Sequence, residues 1–161
     1  MDGRPAPTIT TERVKLTGLT LEFVGQRVTR KDNPMRRIIN PGGIAKPASA
    51  YNHAVLVERP ARTLYLSGQI GERPDGSISA DFAEQARQTW VNLRAILAEG
   101  GMGIADLVKL TSFVVGREHV RPYYEVHRDA VGELLPPWTL VLVAGLGRPQ
   151  YLVEVEAIAV Q

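Results

Sequence analysis

"DFAEQARQTWVNLRAILAEGG", residues 81–101, decides how the rest of this chain is organised. Phe82, Ala86, Trp90, Leu93 and Leu97 recur at helical spacing, so one face is apolar and the other polar. Asp81 is suited to the N-cap, and Glu84 three residues later completes an acidic variant of the capping box. Gly100 and Gly101 end the helix. A helix with one apolar face must bury it against another layer, and the flanking sequence supplies one.

On the N-terminal side, "HAVLVE" (53–58) and "TLYLSGQIG" (63–71) read as short strands. "RPAR" separates them, so they are expected to form an antiparallel pair, and "RPDGS" (73–77) turns the chain into the helix. On the other side, "VKLTSFVVG" (108–116) is a third strand rich in β-branched residues. "EHVRPYYEVHRDAVGELL" (118–135) gives a second helix if Pro122 lies in its first turn. Its apolar stripe is Val120, Tyr124, His127 and Val131, with Tyr123 and Ala130 beside it. "TLVLVAGL" (139–146) and "YLVEVEAIAV" (151–160) are expected to form a second hairpin across "GRPQ". The order β-β-α-β-α-β-β describes an α+β sandwich, a sheet with both helices on one face.

The other face must also be covered if it is apolar. Val108, Leu110, Phe113, Val115, Leu140, Leu142, Val153 and Val155 offer more aliphatic surface than two helices can bury, so a homo-oligomer is expected.

The chain of 161 residues is 44% hydrophobic and 22% charged, as for an average globular domain. It contains no cysteine, which excludes disulfides, thiolate metal sites and cysteine nucleophiles and fits a reducing cytoplasm. No apolar run reaches the roughly 18 residues that span a bilayer, and the first residues lack the apolar core of a secretory signal. Residues 1–37 read as a basic extension: the first 40 residues carry eight Lys/Arg against four acids, the remainder 11 against 13. Leu19, Leu21 and Phe23 alternate with polar residues there and suggest one short strand, able to add to the edge of the main sheet. A basic arm could meet nucleic acid, but without interleaved aromatics for stacking a solvated extension is the simpler reading.

Chemistry-bearing residues are few. Of three histidines, His127 falls on the apolar stripe, His119 is expected at the solvent, and His53 alone, at a strand start, is placed for a site. The chain has no HxH or HxxxH pair, so no metal site is expected, and no G-x-S-x-G, P-loop or G-x-G-x-x-G motif after a strand, so serine-hydrolase and nucleotide-fold readings have no support. In "SGQ" (Ser67, Gly68, Gln69) a glycine inside a strand marks either a bulge or the close approach of another group. In "VEVEA" Glu154 and Glu156 point to one face of an otherwise aliphatic strand. Carboxylates there are either solvated or candidates for a general base. Trp138, after Pro136 and Pro137 at a strand start, is either core filler or the floor of a site.

Together, "INPGGIAKPASAYNHAV", "LYLSGQIG", "DFAEQARQTW", "LVKLTSFV" and "VEVEAIAV" resemble the Rid family of reactive-intermediate deaminases, also known as endoribonuclease L-PSP proteins. The likeness runs from about Ile38 to Gln161, the domain expected after the extension. It implies a chorismate-mutase-like fold, a homotrimer, and sites in the clefts between subunits. It also implies cofactor-free hydrolysis of enamines or imines to 2-oxo acids and ammonia. An arginine then clamps the substrate carboxylate, while a glutamate and a backbone carbonyl orient water. Carried over, the resemblance assigns Tyr51, Gly68, the water-positioning Glu154 and the carbonyl of Leu140 to the site. Arg121 stands where the family has an asparagine, and Trp138 stands where it has the clamping arginine. An indole offers one donor and cannot make a bidentate clamp. The resemblance therefore implies an imine or enamine substrate other than a small 2-imino acid, with Arg121 as a displaced positive charge and Trp138 as a stacking surface. A non-catalytic trimeric small-molecule-binding protein is the alternative, and RNA binding or cleavage a third.

Overall fold

A computed structural model describes residues 9–16, 19–26, 35–49 and 51–161. Two compact units divide the chain between Asn33 and Pro34. In the first, β1 (Ile9–Leu16) pairs antiparallel with β2 (Leu19–Gln26), from Ile9 opposite Gln26 to Leu16 opposite Leu19. The short strand expected around Leu19–Phe23 is β2, but its partner is β1, in a two-stranded sheet of its own rather than the main sheet.

The second unit contains β3 (Met35–Ile39), β4 (Ala54–Glu58), β5 (Thr63–Ile70), α1 (Phe82–Glu99), β6 (Leu107–Val115), α2 (Val120–Val131), β7 (Trp138–Val143) and β8 (Val153–Val160). Its mixed main sheet has the order β5-β8-β6-β7, with β6 and β7 parallel and the other neighbours antiparallel. The expected α+β architecture is present. Two expected pairings are not. β4 pairs with β3 rather than with β5. β7 and β8 are separated by β6 and form no hairpin. The segment between β7 and β8 is longer than the two to five residues that close most hairpins, and it crosses the end of β6 instead. The helical link from β6 to β7 is the kind of connection a parallel pair requires. β3 begins inside the segment expected as an extension, and Arg36 has a structural task there. Its guanidinium donates to the carbonyls of Ala105 and Val160 and meets Asp106 at 3.5 Å, fastening β3 to the far end of β8.

α1 starts as its sequence demands. The Asp81 carboxylate accepts from the Glu84 amide at 2.8 Å, and Ser79 Oγ donates to Glu84 Oε2 at 2.8 Å. Asp81→Ala should therefore destabilise the fold by about 1 kcal/mol in urea unfolding. All five residues of the apolar stripe are buried. So is Gln85, whose side chain donates to the carbonyls of Ser79 and Gln150 and accepts from the Leu152 amide, tying α1 to the start of β8.

Pro122 lies in the first turn of α2, after a 3-10 turn at Arg117–His119. The buried residues of α2 are Tyr123, Val126, His127 and Val131, so its inward face is centred beside the expected stripe, and Tyr124 is 38% exposed. His119 is not turned to solvent. It stacks on Phe82 at 4.3 Å and donates through Nδ1 to the Val115 carbonyl at 2.6 Å.

The core lies between the sheet and the helices. Val153, Val155, Ala157 and Ala159 of β8 enter it together with Leu110, Ser112 and Val114 of β6. This corrects the expected second face: Leu110, Val153 and Val155 belong to the helix side, and Leu140 packs against the same core. By strand alternation the open face carries Lys109, Thr111 and Phe113 of β6, Glu154, Glu156 and Ile158 of β8, and Thr139 and Val141 of β7. It is half polar. The aliphatic surplus that suggested an oligomer is correspondingly smaller.

Candidate active site

Gly68 and Glu154 are brought together. β5 breaks register against β8 between Leu66 and Gln69, and Gly68 occupies the bulge. A Cβ on Gly68 would lie 1.8 Å from Glu154 Oε1 and 2.7 Å from its Cδ. The carboxylate therefore lies directly over the glycine, in space that any side chain would take. Both readings of "SGQ" hold at once: the bulge creates the close approach. Gln69 serves the bulge itself, its Nε2 donating back to the carbonyls of Ser67 at 3.1 Å and Gly68 at 3.2 Å. Glu154 is half-buried on β8, opposite Ile70 on one side and Phe113 on the other. There it can accept a proton from a water molecule placed over the glycine.

Tyr51 and His53 form a second group. His53 Nε2 donates to the Ala45 carbonyl at 2.8 Å, the His53 amide to Asn40 Oδ1 at 2.8 Å, and the Tyr51 and His53 rings meet edge-on at 5.9 Å. Asn40 Nδ2 in turn donates to Asn52 Oδ1 at 2.8 Å. Asn52 fixes this loop to the start of β7: its backbone and side-chain N–H groups both donate to the Leu135 carbonyl, at 3.1 and 2.8 Å. Sequence reading missed Asn40 and Asn52. Their only signal was the position of two asparagines in a Gly/Pro-rich loop, where side-chain amides substitute for absent backbone partners.

Trp138 is core, not cleft floor. It is 8% exposed, and its Nε1 donates to Ser112 Oγ at 2.9 Å. Ser112 Oγ shares a second hydrogen bond, 2.7 Å long, with the Tyr123 hydroxyl. The indole stacks on His127 at 3.8 Å and 16° and meets Tyr124 edge-on at 5.3 Å. Burial raises the Tyr123 pKa above the usual tyrosine range, so its hydroxyl stays neutral. Trp138 is opposite Leu110, whereas Glu154 is opposite Phe113, three residues further along β6. That offset is roughly 10 Å along the strand, and the two side chains leave opposite faces of the sheet.

Leu140 lies on β7, the edge strand, with its side chain half-buried against the core. Arg121 projects from α2 with its side chain 92% exposed, 4.0 Å from Glu125 one turn along the helix. A pair so exposed contributes little, and it places no cation beside Glu154.

The open face also holds a recess of about 290 Å³ lined by Tyr65, Ser67, Lys109, Thr111, Glu156 and Ile158. Lys109 Nζ donates to Thr139 Oγ1 at 2.6 Å. The sequence reading singled out Glu156 but not Lys109, whose place is visible only when β6 is set against β8. Among the described residues no cluster of three or more His, Asp or Glu side chains could hold a metal ion. No described helix is long and apolar enough to cross a membrane.

The sequence model of the family described as Endoribonuclease L-PSP matches residues 43–161, which include Tyr51, Gly68 and Glu154. This chain belongs to the Rid family. The Rid domain is 33% identical over 129 residues to the 2-iminobutanoate/2-iminopropanoate deaminase of Rattus norvegicus, covering 79% of this chain and 91% of that protein. Its identity to the Homo sapiens deaminase of the same name is 30% over the same length and coverage. Among solved structures, the Rid-family protein YyfB of Yersinia pestis superposes with a TM-score of 0.69 at 28% identity, covering 78% of this chain and 98% of that one. The mixed sheet with two helices thus fits the chorismate-mutase-like fold implied by the resemblance.

Proposed function

We propose that this Rid domain hydrolyses an imine or enamine to a carbonyl compound and ammonia, without metal or organic cofactor, at Glu154. The observation that carries the reading is the Glu154 carboxylate held over the side-chain-free Gly68. Glu154 accepts a proton from water as the water oxygen bonds to the carbon of a protonated C=N group. The resulting carbinolamine takes up that proton on nitrogen, breaks its C–N bond and passes its hydroxyl proton to the departing ammonia, leaving a carbonyl compound and ammonium. Water and iminium are consumed, and the glutamate is restored.

The relatives named above act, by their names, on 2-imino acids. The substrate proposed here differs. Trp138 cannot replace an arginine clamp, because its one N–H is committed to Ser112, and Arg121 is turned to solvent. The site therefore favours an imine without a carboxylate beside the C=N group. Tyr51 and the Leu140 carbonyl complete it in a cleft between subunits of a homotrimer, an assembly consistent with the apolar residues Tyr65, Val141 and Leu142 left exposed on the single chain.

The test is ammonia release from a panel of imines generated in situ by an amine or amino-acid oxidase, with 2-iminobutanoate as one member. Acceleration over the spontaneous rate is expected, greatest for imines lacking the carboxylate. Failure to accelerate any member removes the reading. The buried Trp138 also favours a second reading, a cleft that holds a ligand without transforming it; a compound that raises Tm and returns unchanged after incubation distinguishes it.

A further inference from the structure

Gly68 and Glu154 meet at a break in the β5–β8 ladder, and the ladder alone does not fix the distance between them. Its pairs jump from Leu66 and Ala157 to Gln69 and Val155, so Ser67 and Gly68 have no register partner. A bulged strand bends locally, so the carboxylate stays over the glycine only if both strands are held from outside the sheet. α1 holds both, with a polar stripe that runs beside its apolar one. Gln85, Gln88 and Asn92 recur at spacings of three and four, on one face of the helix. Asn92 Nδ2 donates to the carbonyls of Ile70 and Glu72, each at 2.9 Å, and so catches β5 just past the bulge. Ile70 is the cross-strand partner of Glu154. Gln85 catches the other strand just ahead of Glu154. Its Oε1 accepts from the Leu152 amide at 3.0 Å, and its Nε2 donates to the Gln150 carbonyl at 2.8 Å. Gln88 Nε2 donates to Asn92 Oδ1 at 2.9 Å and fixes which way the Asn92 amide turns.

We propose, resting on the hydrolase reading, that Asn92 is a positioning residue for the reaction and Gln85 its counterpart on β8. Neither amide meets substrate. Asn92 spends both of its N–H groups on β5 and its oxygen on Gln88, so its orientation is set and it has no donor left for a ligand. Its effect reaches the chemistry through the distance between Gly68 and Glu154, which decides whether water can sit between the carboxylate and the C=N carbon. Both amides act from the helix side of the sheet. The role is therefore the same whether or not a second subunit covers the open face. α1, read from the sequence for its apolar stripe, thus also sets the geometry of the site.

The experiment compares the full-length native protein with Asn92→Ala, Gly68→Ala and the double variant, in imine hydrolysis and in urea unfolding. Asn92→Ala should lower kcat by about 10–100-fold, the scale of a small misplacement of a reacting group. KM should stay within about threefold of native, because the substrate itself loses no contact. In Gly68→Ala the carboxylate has already swung aside. Adding Asn92→Ala there should lower kcat by less than about twofold more, while the two losses in stability add. A residue with only a structural role would lower kcat by the same factor in both backgrounds. Gln88→Ala leaves both Asn92 donors in place and frees only its oxygen, so a smaller loss of about threefold is expected. If Asn92→Ala does not fold, Gln88→Ala takes its place in the same comparison. The proposal is overturned if the variant keeps native kcat, or if its loss is as large with alanine at position 68 as with glycine. A native protein that accelerates no imine removes the hydrolase reading and this role with it. An active native enzyme indifferent to the change removes this role alone.

Discussion

Glu154→Gln should lower kcat for imine hydrolysis by about 10²–10⁴-fold, the range a positioned general base contributes, with little change in unfolding free energy. An amide cannot take the proton from water, while the shape over Gly68 is kept. Gly68→Ala should produce a loss of the same order by a different route. The new Cβ would fall 1.8 Å from Glu154 Oε1, and the atom in its way is the end of a flexible side chain. The carboxylate swings aside and the backbone stays. Gly71→Ala is the contrasting control. There an added Cβ would meet the backbone of Gln85 at 2.4 Å, against the helix that roofs the sheet. That residue cannot swing away, so the loss appears in stability, on the order of 3 kcal/mol. Measuring kcat and urea unfolding on all three separates the roles. A Gly68→Ala enzyme with unchanged kcat would show that the carboxylate over the glycine is not the group that handles water.

The Gly68–Glu154 pair shows what the sequence could and could not disclose. A glycine in a strand and a carboxylate in an aliphatic strand were each conspicuous, because each costs stability where it stands. That the two are one feature depends on a register break between strands far apart in sequence, and no local pattern encodes it. α1 was legible almost residue by residue, since its cap and its 3.6-residue period are local. The pairings of β4 and β7 were misjudged for the opposite reason: neighbours in sequence were taken for neighbours in the sheet. Strand parity decided the rest. Leu110, Val153 and Val155 turn inward, while Lys109, Thr111 and Glu156 share the open face, and only the paired registers of β6 and β8 fix which is which. His119 was assigned to solvent because the aromatic ring it stacks on, Phe82, belongs to the other helix.

Trp138→Ala should destabilise the domain by about 3–5 kcal/mol, as for removal of a buried aromatic side chain. It removes the stack on His127 and the edge contact with Tyr124, and it takes the indole donor from Ser112. Trp138→Phe keeps much of the apolar volume and loses only the N–H, so about 1 kcal/mol is expected. Ser112→Ala removes the shared partner of Trp138 and Tyr123, stranding polar groups at both, and should be worse than Trp138→Phe, at about 1–3 kcal/mol. Combined, the two changes should cost less than their sum, because the hydrogen bond can be lost only once. Trp138→Arg is the decisive member of the series. With the side chain held among His127, Tyr123 and Tyr124, the guanidinium would be an unpaired buried charge, and a loss of about 3–5 kcal/mol follows. If urea unfolding instead finds that variant within about 1 kcal/mol of the native protein, the arginine has reached water along the edge of β7. The indole would then fill a cleft that the fold can open, and the same variant should hydrolyse 2-iminobutanoate faster than the native chain.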